Sequence, residues 1–378
     1  MEELPFEDRT VPRVEIDWDR SLWWWYPITR AIHPAIRWTS LLVGFLGMWL
    51  LQLGLKWGDT WFSPAYDTQL LTGWSGAAWM SLPRWELQGR LPEITVNNAA
   101  YFTFVALWIA LISGTLGGVL ARRSAIELGQ RNMASWIQAV NVSARRLVSS
   151  LWAAGMYLVA ILALLVPIVL LGWLARLGTV AAAISGVLLL TICIPVIFAT
   201  GKTLLSLIIC FPLSICAINV EKKADAFEGF SRSNAYLFQR PVVSVLIIVG
   251  LLVFGEVGAF LVYWAVQLGW GMVSNTFLMA ANSHASALEW NETVSWLAAN
   301  LVDAFRFSYF WSATAALYLV LRRSVDDTEL DEMEMFDSEL VKQLPQIPGT
   351  SQADSPSQAD DTPPPNDGSE PQAPSSVS

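Results

Sequence analysis

Between Thr179 and Asn219 the chain runs 41 positions with Lys202 as its only charged residue. A straight helix of that length is about 60 Å long, roughly twice the hydrocarbon thickness of a bilayer. No water-soluble domain has a use for such a block, because there is not enough core to cover it on all sides. The rest of the chain agrees. Charged residues make up only 15% of it and mean hydropathy is +0.44, where an ordinary soluble domain is about 25% charged. Its 20 Trp residues suit the boundary between lipid and water, since an indole has an apolar body and one polar N–H.

Blocks of about 20 apolar residues locate the spans. They fall at 38–55, 99–121, 148–175, 242–268 and 301–321, with the 179–219 block between the third and fourth of these. Arginines and lysines of short loops stay on the cytoplasmic side. Arg122, Arg123, Arg131, Arg145 and Arg146 follow the second span, and Lys222, Lys223, Arg232 and Arg240 follow the long block. Arg322 and Arg323 end the last span, whereas 269–300 holds neither Lys nor Arg. Arg30 and Arg37 place the N-terminus inside as well. Both loops flanking 148–219 are then cytoplasmic, so the long block makes one net crossing. It is expected to break near Ala199–Lys202, leaving a re-entrant or interfacial piece. The expected fold is all-α: a polytopic bundle of about six spans, with residues 1–20 an acidic segment and 21–324 the transmembrane domain.

Residues 325–378 read as a disordered tail. They hold thirteen acidic side chains against Lys342 alone, which leaves a charge of +3 on the remainder of a chain whose total is −9. A segment so rich in Pro, Ser and Asp buries too little apolar surface to fold alone. Its one apolar patch, Glu339–Leu344, is a candidate partner-binding helix. Neither the mildly basic body nor the acidic tail suits a nucleic-acid partner. The N-terminal residues lack a signal-peptide pattern, so insertion is expected to rely on the first span.

Two cytoplasmic loops align without gaps, Ala134–Ser143 on Ala224–Ser233, pairing Ile137 with Phe227, Ala139 with Gly229, Val140 with Phe230 and Ser143 with Ser233. Ile137, Val140 and Leu147, and likewise Phe227, Phe230 and Leu237, fall on one helical face. Each copy is expected to be an amphipathic surface helix feeding a span and offering an interaction face. With Leu22–Trp38 as a diverged third copy, the chain becomes three units, each a surface helix followed by a two-span hairpin.

The run from Ile218 to Pro241 resembles a recurring segment of uncharacterised bacterial multi-pass membrane proteins of planctomycete type. More distantly, it is similar to the membrane domain preceding some glycerophosphodiester phosphodiesterases. The resemblance covers about 24 residues and implies a bacterial inner membrane, with no activity attached.

Few residues point to chemistry. Glu256 lies 14 residues into its span, about 21 Å deep, and Arg306 lies 15 residues into its own, about 22 Å deep. The two can pair, with Asp303 one turn from Arg306 competing for it. Such a set either lines a transport path, with Lys202 as a fourth member, or staples the hairpin. Gly114 and Gly118 have the spacing of close helix packing. The Trp-rich loop 56–98 suits the outer interface. Cys193, Cys210 and Cys216 lack metal or disulfide spacing, and His33 and His284 fall on opposite sides of the membrane. No cofactor, metal or catalytic set is expected. The favoured reading is a non-enzymatic membrane assembly component, whose partners are the lipid bilayer and a protein met by the cytoplasmic helices or tail. A small-solute or ion transporter is the alternative, and a lipid-acting enzyme ranks last.

Overall fold

The computed structural model describes residues 26–62, 96–130, 135–221, 224–281 and 285–326. The acidic N-terminal segment, most of the Trp-rich loop, the tail and its Glu339–Leu344 patch, Lys222, Lys223 and His284 lie outside the described residues. The described residues are helical and fall in one compact unit. Two short helices come first, α1 (Tyr26–Arg30) and α2 (Ile32–Ile36), followed by α3 (Trp38–Phe62). Next, α4 (Val96–Ile112) passes through a π-turn (Ser113–Gly117) into α5 (Gly118–Gln130). The remainder is α6 (Trp136–Arg145), α7 (Leu147–Ala175), α8 (Thr179–Val220), α9 (Ala226–Gln239), α10 (Pro241–Ala280) and α11 (Ala285–Asp326).

Among the described residues, five helices are long and apolar enough to cross a membrane: α3, the continuous α4–α5, α7, α8 and α10. Long helices pair with their neighbours. Trp108 of α4 donates to the Leu50 carbonyl of α3 at 3.0 Å, Ser185 of α8 to Leu171 of α7 at 2.7 Å, and Tyr309 of α11 to Leu251 of α10 at 2.7 Å.

The core lies at the arginine-bearing end. There, three stretches are buried on all sides: Gly117–Ile126 at the end of the π-turn and the start of α5, Cys210–Val220 of α8 and Trp311–Leu321 of α11. These three helices pack on one another, and the short helices wrap them. Glycine permits the close approaches. A methyl group at Gly117 would sit 2.2 Å from the Trp311 ring, and one at Gly118 would sit 2.7 Å from the Asn219 amide. Gly44 of α3 lies so near α11 that an added Cβ would be 2.3 Å from the Ala304 carbonyl oxygen. Gly114 and Gly118 are thus used for packing, against Ser150 and against Asn219 and Ser143 respectively.

Several boundaries differ from those read in the sequence. Helix α3 continues through Lys56 to Phe62, and the helix expected to end at Ala121 continues to Gln130. Arg122 and Arg123 are therefore inside it, 6% and 7% exposed, rather than in a loop. Helices α10 and α11 extend across most of 269–300, leaving only a short connection. Hydrophobicity marks where lipid would end, but a helix continues as long as neighbouring helices satisfy it.

The expected break at Ala199–Lys202 is absent: α8 is one helix of 42 residues. It does bend. Tyr157 and Leu171, 14 residues apart on α7, are about 21 Å apart; their partners Ser214 and Ser185, 29 residues apart on α8, would be about 43 Å apart if straight. Even extended side chains do not make up that difference, so α8 curves between the two contacts. Pro195 lies in this stretch, where it removes one backbone hydrogen bond. The excess length is absorbed by the core, since Cys210–Val220 leaves the apolar exterior and is buried among α5, α9 and α11.

Candidate functional site

The C-terminal end of α8 is where most elements meet. A helix end leaves its last carbonyls without intrahelical partners, and here guanidinium groups take them. Arg122 of α5 donates to the Asn219 carbonyl at 2.6 Å. Arg146, between α6 and α7, donates to the carbonyls of Ile218 and Glu221. Cations at this end also complement the helix dipole. The Glu221 carboxylate, 11% exposed, accepts from Arg232 of α9 and from the Tyr318 hydroxyl of α11, with Arg322 Nε 3.9 Å away. Arg232 also pairs with Glu228, one turn away on α9. Glu221 thereby joins α8, α9 and α11 through its side chain and the start of α7 through its backbone.

The electrostatics follow from this packing. Burial alone would push the Arg232 guanidinium down, but Glu221 and Glu228 outweigh it and hold it above its ordinary value. Arg146 is pushed down by burial, against an opposing pull from Glu221. The Tyr236 hydroxyl is pushed up by burial and further by its hydrogen bond to Asp326. Glu221 was not singled out by sequence. Of the arginines that stand directly before long helices, Arg37, Arg146 and Arg240, it is Arg146 that reaches the Glu221 cluster.

The short helices dock in the same way at three places. Ala139 and Ser143 are the buried residues of α6, and the Ser143 hydroxyl reaches the Gly114 and Thr115 carbonyls at 2.9 and 2.8 Å. Those carbonyls belong to the π-turn, so α6 docks on the one stretch where the long helix widens. Gly229 and Ser233 play the same part in α9. A Cβ at Gly229 would be 2.7 Å from Ile218 of α8, and Ser233 bonds Ser214 of α8 at 2.7 Å. Ala31 and Ala35, both fully buried, accept from Ser312 and Ser308 of α11. Each short-helix segment also ties to another long helix. His33 and Arg37 hold Glu127 of α5 at 2.9 and 2.8 Å, Arg146 holds the end of α8, and Tyr236 holds Asp326 of α11.

The expected interaction face is not a single surface. Ile137 and Val140 are 81% and 50% exposed, but Leu147 belongs to α7 and is half-buried, because the chain turns at Arg146. In α9, Phe227 is 65% exposed, Phe230 packs edge-on against Tyr157 at 4.7 Å, and Leu237 is buried. The gradient shows α9 sinking toward the core along its length. The buried face of α6 is formed by the small residues Ala139 and Ser143, and that of α9 by Gly229 and Ser233 together with Tyr236 and Leu237.

Glu256, Asp303 and Arg306 do come together: Arg306 lies 3.8 Å from Glu256 and 3.7 Å from Asp303. The Glu256 side chain is 52% exposed. Lys202 stands apart from them, its ammonium 4.6 Å over the Phe238 ring of α9. Among the described residues, no group of three His, Cys, Asp or Glu side chains could hold a metal ion. No family model matches the chain, and neither a curated protein nor a solved structure matches it.

Proposed function

We propose that this chain is a bacterial inner-membrane protein with six crossings, built as three units of a surface helix followed by a hairpin, and that it acts as a non-enzymatic assembly component. The sixth crossing is α11. It falls short of the others in apolar character because α3, α5, α8 and α10 surround it. A helix packed in protein needs no lipid-compatible surface. Both termini share the cytoplasmic side, where positive charge is retained. The observation that carries the interaction reading is the strongly acidic segment after Asp326, a charged means of contact. Ile137, Val140 and Phe227, exposed on helices outside the spans, are large apolar side chains that call for a cover of their own.

Mass spectrometry of material co-purified from native membranes tests this reading. The full chain is compared with one ending at Ser324. A stoichiometric protein that disappears with the acidic segment supports an assembly role. Retention of every companion by the shortened chain removes the tail from it, and absence of any companion from both overturns the reading.

A transporter is the second reading, favoured by the half-exposed Glu256 beside Arg306. Glu256→Gln in a folded, inserted protein would then abolish uptake by reconstituted vesicles. Unchanged uptake would leave the three charged residues as a staple between α10 and α11. A lipid-acting enzyme has no supporting observation.

A further inference from the structure

We propose that α6 and α9 are in-plane anchors whose exposed apolar edges, Ile137 with Val140 in α6 and Phe227 in α9, are seated in the cytoplasmic leaflet of the bilayer. This rests on the membrane placement proposed above and names the cover for those residues. The first support is the division of each helix's exposed arc. Successive residues are rotated by about 100° around a helix. Ala139 and Ser143 define the buried side of α6; going round from it, Val140 and Ile137 come first, then Asn141, Arg145 and Gln138. In α9, with Gly229 and Ser233 buried, the same order gives half-buried Phe230 and Asn234, exposed Phe227 and half-buried Phe238, then Ser231, Glu228 and Gln239. An apolar-to-polar boundary running lengthwise along a docked helix matches a lipid–water boundary.

The second support is equivalence. Ile137 and Phe227 each stand two positions before the first small docking residue, Ala139 and Gly229. The two helices dock alike on different long helices, so they present the same chemistry at different places on the rim. A protein bound at one patch would not demand that duplication, whereas a leaflet surrounds the molecule. The third is continuity. Exposed Val148 and Trp152 of α7 follow α6, and exposed Val242, Val245 and Leu246 of α10 follow α9, so exposed apolar side chains resume three residues after each short helix ends. Exposed Arg145 and Arg240 stand beside it, placed to meet anionic headgroups. At the N-terminal station the matching position is Thr29, so the anchors number two among the described residues.

The test is photo-crosslinking of the full chain in vesicles of mixed phosphatidylglycerol and phosphatidylcholine. Benzoylphenylalanine replaces Ile137, Phe227, Gln138 or Val253 in turn, and adducts are identified by intact mass. Val253, exposed on α10, reports whether the spans are in lipid at all. Positions 137 and 227 are expected to yield phospholipid adducts within about threefold of Val253 and about tenfold above Gln138. Adducts of twice the protein mass at 137 or 227 would show a second copy as the cover, and no adduct there while Val253 takes lipid would show water. Either overturns the anchor proposal and leaves the six crossings standing. Failure of Val253 itself would overturn the membrane placement and the anchors with it.

Discussion

Replacing Glu221 by alanine removes the carboxylate that holds α8, α9 and α11 together. The cost can be worked through partner by partner. The Tyr318 hydroxyl, fully buried, loses its acceptor, and an unsatisfied buried hydroxyl costs about 1–3 kcal/mol. Arg232 is 37% exposed and keeps Glu228, so water replaces much of its loss and about 0–1 kcal/mol is expected. Arg322, 14% exposed, is left without its neighbouring carboxylate, and the Arg146 contact to the backbone remains. The total is roughly 3 kcal/mol, the lower end of the range for breaking a buried ion pair. Thermal and denaturant unfolding in a mild detergent, read as soluble folded protein, measures it for Glu221→Ala, Tyr318→Phe and the double variant. The two single changes should be coupled by about 1–2 kcal/mol, because each removes the same hydrogen bond. A cost below about 1 kcal/mol for Glu221→Ala, or strict additivity with Tyr318→Phe, would refute the role given to this residue.

Three further outcomes are expected. Gly44→Ala places a methyl group 2.3 Å from a backbone oxygen that cannot swing away, so α3 and α11 must separate; a loss of about 1–3 kcal/mol is expected by the same unfolding assay. Arg306→Met should reduce folded, monodisperse yield on size exclusion far more than Glu256→Gln, since the first leaves two carboxylates without their guanidinium while the second keeps the Asp303–Arg306 pair. Tyr236 has a folded-state value raised above the unfolded value of about 10, so its contribution is full below that pH and is lost as pH rises through and beyond it. Tyr236→Phe should therefore be less stable than the wild type at neutral pH and decline less steeply above pH ~10.

Some of this architecture was legible from residue order alone. The long apolar blocks predict all-helical structure, and all five helices apolar enough for a membrane begin within three residues of the expected positions. Glu256, Asp303 and Arg306 could be brought together from their depths, because two helices joined by a short connection run antiparallel and 1.5 Å per residue fixes which residues are level. The gapless match of Ala134–Ser143 to Ala224–Ser233 contained the docking residues, Ala139 with Gly229 and Ser143 with Ser233.

Which members of those patterns matter was decided by tertiary structure. Periodicity ranks large apolar residues as the inward face, yet Ile137 and Phe227 point outward while alanine, glycine and serine point in. The reason is distance: where a short helix approaches a long one most closely, at Ala139 and Gly229, only a small side chain fits, and a serine can also donate to a neighbouring carbonyl such as those of the π-turn. Arg122, Arg123 and Glu221 read as polar ends of apolar segments, but three helix ends from distant parts of the chain converge and bury them. Local sequence determines that a helix forms and what its surface is made of. Which part of that surface meets lipid, and which meets another helix, depends on neighbours that the chain brings together only when folded.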